Sequence, residues 1–223
     1  MDFMKWLSSL DELLYEVMSW LLFFPITLWR ATVRPFETMA EVDRQAALAA
    51  SEQYGAVLSP PLFMALGLLL AHATATALGQ TDAIIANRHG LASLVDDNAS
   101  ALVLRVVVFA AFPLFLAARL VRAQRLHLDR ATLRKPFYKQ CYPTAVFALG
   151  SSLGTSIVLV PHPTVHAVGQ MLLVLSLLNY LVVETRWFAS ELQCGRVRAL
   201  ASVSIGLMEG FVFLLGVGFL FTR

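Results

Sequence analysis

The chain has 223 residues, of which 58% are hydrophobic and only 14% are charged. Because soluble globular domains carry roughly 25% charged residues, this composition excludes an ordinary soluble domain. The formal net charge of +2 is too small to indicate nucleic-acid binding. The apolar residues are grouped in blocks as long as a bilayer is thick, which predicts an all-α, polytopic membrane protein.

Residues 1–55 are predicted to form amphipathic and cytosolic helices rather than a signal peptide. Apolar side chains recur every three or four positions over 3–24, and Asp11, Glu12 and Glu16 precede the apolar run 17–29. That run contains Pro25 and is shorter than the roughly 20 residues needed to cross a bilayer, so it is expected to lie in the membrane interface. A second helix is predicted to begin at Arg34-Pro35.

Residues 56–223 are predicted to form a transmembrane domain of five helices. The expected spans are 56–79, 101–118, 143–161, 164–183 and 199–221. Only His162 and Pro163 separate the third span from the fourth, which predicts a tight antiparallel hairpin.

The distribution of basic residues predicts the orientation. Of the 17 lysines and arginines, 14 lie before the first span, between the second and third, or between the fourth and fifth. The other connecting segments and the tail hold two, and Arg105 lies inside a span. Because positive loops stay in the cytoplasm, the N-terminus is expected inside and the C-terminus outside. The arginine-rich, lysine-poor composition favours a bacterial cytoplasmic membrane.

Charged and polar residues within the spans form a candidate intramembrane centre. Glu209 lies about 15 Å into the last span, near the middle of a hydrocarbon layer roughly 30 Å thick. A charge at that depth must pair, bind a proton or face a wet cavity. Arg105, His72, Thr155 and Gln170 are expected in the central or outer part of the bilayer. If they converge with Glu209 they form a small permease's pocket; otherwise they are interhelical hydrogen-bonding groups.

Small residues four apart predict close helix packing at Gly150 and Gly154, and again at Gly206 and Gly210. The first pair also matches the G-x-S-x-G pattern around Ser152. With His166 one helix away, a membrane serine hydrolase is a remote alternative. The main expectation is a protein that is not an enzyme, because the pattern lies inside an apolar helix.

The segment between the second and third spans carries seven positive charges and is predicted to contact anionic lipid headgroups or a membrane protein partner. Topology alone also explains such a segment. No metal, cofactor or nucleic acid is expected, whereas a homo-oligomer is compatible with the pattern. The basic residues are Arg119, Arg122, Arg125, Arg130, Arg134, Lys135 and Lys139.

The layout resembles the Yip-domain family and the bacterial permease-like proteins associated with it. The likeness lies in an amphipathic N-terminal region, the Arg34-Pro35-Phe36 segment, Ser59-Pro60-Pro61 at the first span, five spans and a short outer C-terminus. The resemblance implies a membrane-organising role for eukaryotic members, which bind small GTPases, and carries no functional residues over. Two hypotheses follow: a small permease-like transporter, or a membrane-organising scaffold that acts through its N-terminal helices and basic segment.

Overall fold

The computed structural model describes residues 2–49, 53–54, 57–78 and 98–222, without the side chains of 2–9, 98–99, 101, 105 and 220–222. Within these ranges every regular element is a helix, which confirms the all-α prediction. The helices are α1 Asp2–Val33, α2 Pro35–Ala46, α3 Pro60–Ala77, α4 Asn98–Ala123, α5 Arg130–Val158, α6 Pro163–Glu191 and α7 Arg196–Thr222.

Six of the described helices are long and apolar enough to cross a membrane. Five of them, α3 to α7, correspond to the predicted spans. The sixth candidate is Leu10–Val33 in α1, where the sequence predicts an interfacial segment. The helix of α1 continues through Pro25, so it is one long element rather than a short apolar run next to an amphipathic one.

Helix α5 begins thirteen residues before the predicted third span, at Arg130 instead of Pro143. Asp129 starts it with a capping box, because its carboxylate accepts hydrogen bonds of 2.8 Å from the backbone amides of Ala131 and Thr132. The Thr132 amide, chiefly, holds the pKa of Asp129 below its ordinary value. The second half of the basic segment is therefore helical, and both prolines inside α5 are accommodated.

Helix α5 is the centre of the bundle. It packs against α3, α4 and α6 along its length and against α1 and α2 near its start, while α7 packs on α4 and α6. The contact between α5 and α6 is the predicted antiparallel hairpin. Gly150 and Gly154 of α5 lie against α6, where a Cβ on Gly154 would come within 2.8 Å of Leu173. Gly206 and Gly210 of α7 lie against Leu116 and Phe112 of α4.

Helix α2 is a short amphipathic element held against one end of the bundle, which we name the α2 end. Its Val42 joins an apolar cluster with Phe63 of α3 and Tyr142 of α5. Its Met39 joins a second cluster with Trp187 of α6. Both side chains are almost completely buried, so α2 is part of the folded core rather than a loosely attached segment.

The outward faces of the long helices expose many large apolar side chains. On α6 these include Val174, Leu175 and Leu178, and on α7 they include Val212 and Leu215. Soluble proteins rarely expose contiguous apolar surface of this extent. The surface is that of helices surrounded by lipid, in agreement with the candidate spans.

Candidate functional site

A layer of paired charges joins three helices at the α2 end. The ammonium of Lys139 on α5 lies 2.9 Å from the Asp43 carboxylate on α2 and 3.0 Å from the Glu191 carboxylate on α6. It also lies 6.0 Å from the centre of the Trp187 ring. The sequence predicts a lipid contact for Lys139, whereas its side chain is only 12% exposed and links helices.

Two cavities open beside this charged layer, and residues of α2 line both. The first, about 240 Å³, is lined by Asp43, Lys139, Trp187 and Glu191 together with the end of α4. The second, about 280 Å³, lies between α2 and the start of α5, and Lys135 lines both. The described residues lining the second cavity are Val42, Ala46, Gln53, Tyr54, Ala131, Arg134, Lys135 and Tyr138.

The second cavity combines basic and phenolic side chains. The guanidinium of Arg134 lies 5.4 Å from the centre of the Tyr138 ring, and the ring centres of Tyr54 and Tyr138 are 6.2 Å apart. Burial raises the pKa of Tyr54 to about 12, so its hydroxyl keeps its proton and can donate a hydrogen bond at neutral pH. No carboxylate is found among the described residues that line this cavity. Its chemistry suits an anion.

Five residues of the predicted basic set remain exposed at the α2 end: Arg122, Arg125, Arg130, Arg134 and Lys135. The other two are used inside the protein. Lys139 belongs to the charged layer, and Arg119 of α4 pairs with Glu209 of α7 at 3.4 Å. The exposed five are therefore the ones available for contact with lipid or a partner.

The structure gives Glu209 a partner other than the one expected from the sequence. Its carboxylate Oε1 accepts a hydrogen bond from Nη1 of Arg119, and both side chains are about one-third exposed. The other carboxylate oxygen, Oε2, is buried without a hydrogen bond. The side chain of Arg105 lies outside the described residues, so its predicted meeting with Glu209 stays a prediction.

The remaining members of the predicted centre make other contacts. The Thr155 hydroxyl donates to the Ser151 carbonyl of its own helix, and the Gln170 amide donates to Nε2 of His166 at 3.0 Å. His72 is buried on α3, and its Nε2 has no hydrogen-bond partner. Thr155 and Gln170 are exposed, and these bonds place them in local networks rather than around Glu209.

His166 closes the hairpin between α5 and α6. Its Nδ1 donates to the Val158 carbonyl at 2.9 Å, since a carbonyl can only accept, and its Nε2 accepts from Gln170. Both ring nitrogens are therefore engaged by groups other than Ser152. This arrangement gives the serine hydrolase alternative no support from a Ser152–His166 pair.

A buried polar ladder between α5 and α6 was not predicted from the sequence. Gln140 Nε2 donates to Glu184 Oε2 at 2.7 Å, and the hydroxyls of Thr144 and Tyr180 are 3.3 Å apart. Thr144 follows Gln140 by four residues on α5, and Tyr180 precedes Glu184 by four residues on α6. This opposite order is the one that antiparallel helices require. The available signal was this matched spacing. It was missed because residue 184 lies just beyond the predicted end of the fourth span, 183.

Comparison with known proteins adds no relative: no protein-family model, curated protein or solved structure matches the chain. The site is therefore interpreted from its own geometry. That geometry consists of an internal charged layer, an anion-suited cavity beside α2, and a buried polar ladder between α5 and α6.

Proposed function

We propose that this protein is an integral membrane protein that binds phosphate-bearing headgroups of anionic lipids at the α2 end and organises the membrane around it, without transporting a solute. The α2 end then faces the cytoplasm of a bacterial cell, because it carries most of the basic residues. This proposal is the scaffold hypothesis from the sequence, with the ligand specified as a phosphate-bearing lipid headgroup.

The observation that carries the proposal is the second cavity. Arg134 and Lys135 supply two positive charges, and Tyr54 and Tyr138 supply hydroxyl donors. Arginine and tyrosine donors suit the oxygens of a phosphate group.

The polar groups of the spans favour this role over transport. A transporter of the kind considered from the sequence needs a wet pocket around Glu209. Instead, Glu209 is paired with Arg119, and the buried ladder residues bond to each other across α5 and α6. Paired groups of this kind stabilise contacts between helices.

The span count and the family resemblance belong to the same proposal. We propose five crossings, with α1 along the membrane surface. Asp11, Glu12 and Glu16 interrupt the first half of α1, and its most apolar 18-residue stretch contains no buried residue, unlike the corresponding stretches of the other five candidates. The Yip-like layout supports a membrane-organising role in a bacterial cytoplasmic membrane. Homo-oligomers are compatible with it.

Neutralising the anion cavity tests the proposal. We expect the double variant Arg134→Gln/Lys135→Gln, purified in detergent, to bind vesicles containing phosphatidylglycerol at least tenfold more weakly than the unaltered protein. Each basic residue near an anionic surface contributes about 1 kcal/mol, so two lost charges suffice for this decrease. The measurement is co-sedimentation of protein with vesicles of graded phosphatidylglycerol content.

The matched control is Arg196→Gln/Arg198→Gln, which removes two exposed charges from the same end but outside the cavity. We expect a smaller decrease for this control. Equal decreases in the two double variants would show general surface attraction and no specific site. Unchanged binding in the first variant would contradict the proposal.

A further inference from the structure

Glu184 is the most deeply buried carboxylate in the described part of the protein, with 0% of its surface exposed. Its Oε2 accepts one hydrogen bond, from the neutral amide of Gln140, which is itself fully buried. Two oxygens of this pair have no hydrogen-bond partner: Oε1 of Glu184 and Oε1 of Gln140. A buried polar atom without a partner is costly, so the pair needs a further group.

Within the part of the chain that the structure describes, no positive charge is paired with Glu184. The nearest cation along α5, Lys139, is engaged by Asp43 and Glu191. On α7, the apolar residues Ala199 and Val203 are buried in the cluster that also contains Trp187 of α6.

The other described titratable groups near Glu184 supply no countercharge either. On α6, the Arg186 guanidinium lies over the Phe36 ring of α2, and the Tyr180 hydroxyl is paired with Thr144. Cys141, beside Gln140 on α5, is a buried thiol. An ionised carboxylate in this position would be desolvated with only the neutral Gln140 amide to compensate.

One proton satisfies both unpartnered oxygens at once. A carboxylic acid and a primary amide form a cyclic pair in which the amide N–H donates to the acid carbonyl and the acid O–H donates to the amide carbonyl. The first of these bonds is already present at 2.7 Å. The second hydrogen bond would join Oε1 of Glu184 to Oε1 of Gln140, and these are the two atoms that have no partner.

We propose that Glu184 and Gln140 form a proton-binding site inside the bundle, in which Glu184 is held as the neutral acid. This site is separate from the anion cavity and does not depend on it. Trp187, three residues beyond Glu184 on α6, lines the 240 Å³ cavity at the α2 end, whereas Glu184 itself lines neither cavity.

The first test compares unfolding at increasing pH for the protein and for Glu184→Gln, which imitates the neutral acid. Because the folded state holds a proton that the unfolded chain releases, we expect the unaltered protein to lose stability as the pH rises above the ordinary range of a carboxyl group. Glu184→Gln should lose this component. The exposed Glu12→Gln is the control and should keep the full pH dependence.

The second test applies even if Glu184→Gln fails to fold. Infrared difference spectroscopy of the unaltered protein at neutral pH should detect the carbonyl stretch of a protonated carboxylic acid, shifted by ¹³C labelling of glutamate. Absence of that band would overturn the proposal. A sodium-dependent rise in the stability of the unaltered protein at constant ionic strength, lost in Glu184→Gln, would also overturn it, since the ligand would then be a metal cation.

Discussion

Replacing Lys139 with methionine is expected to lower the free energy of unfolding by about 2 kcal/mol and to loosen α2. Removing one partner of a fully buried ion pair costs about 3–5 kcal/mol. We expect less here because Asp43 and Glu191 are partly exposed and solvent screens them. The measurement is chemical unfolding in detergent. A single cysteine at Val42, which is 1% exposed, should become reactive to thiol reagents in the Lys139→Met background.

Lys135→Met is the matched control for the removal of Lys139 from its contacts with Asp43 and Glu191. Lys135 is one turn earlier on the same helix, is 59% exposed, and reaches Asp43 only at 4.0 Å. We expect its removal to change stability little and to leave Val42→Cys protected. If both lysine variants behave alike, Lys139 does not hold α2 in place, and its role as a lipid contact would be the better interpretation.

Gly169→Ala is expected to separate α5 from α6 and to destabilise the protein by roughly 1–3 kcal/mol, the usual cost of overpacking. A Cβ at this position would lie 2.6 Å from the Val158 amide nitrogen and 2.8 Å from the Gly154 carbonyl oxygen. Both are backbone atoms, so no side-chain rotation relieves the clash. The hairpin must move instead. Thermal unfolding in detergent measures the effect.

Gly216→Ala is the control for the added methyl group. Gly216 lies on α7 in a similarly apolar helix, and a Cβ there meets nothing within 4 Å. Any gain in helix propensity, up to about 1 kcal/mol, applies to both variants. The difference between the two variants therefore isolates the helix contact. Equal stabilities would contradict the close packing of α5 on α6.

Helical class and pairing were predictable because they depend on local pattern. Long apolar blocks predicted α3 to α7, and the short His162-Pro163 connection predicted the α5–α6 hairpin. The start of the third predicted span was less predictable. The apolar pattern predicts that this span begins at Pro143, but the Asp129 capping box begins the helix earlier and Pro143 lies inside it.

Side-chain partners were less predictable because they depend on how helices rotate about their axes. The position of Glu209 predicted that it needs a partner, but Arg105 and Arg119 are both on α4, and only the packed structure selects Arg119 for the described contact. Likewise, the seven basic residues of one segment all suggested the same role, contact with lipid headgroups or a partner. The fold divides them into five exposed residues and two, Arg119 and Lys139, that pair inside the protein.

The central claim is that the α2 end and the α5–α6 connection lie on opposite sides of a membrane. It is tested most directly by thiol labelling of single cysteines placed at Leu126 and Leu159, which are 53% and 64% exposed, in a protein whose native cysteines are replaced. We expect a membrane-impermeant reagent to label Leu159→Cys in intact cells and Leu126→Cys only in inverted vesicles. Labelling of both positions from the same side would contradict the account.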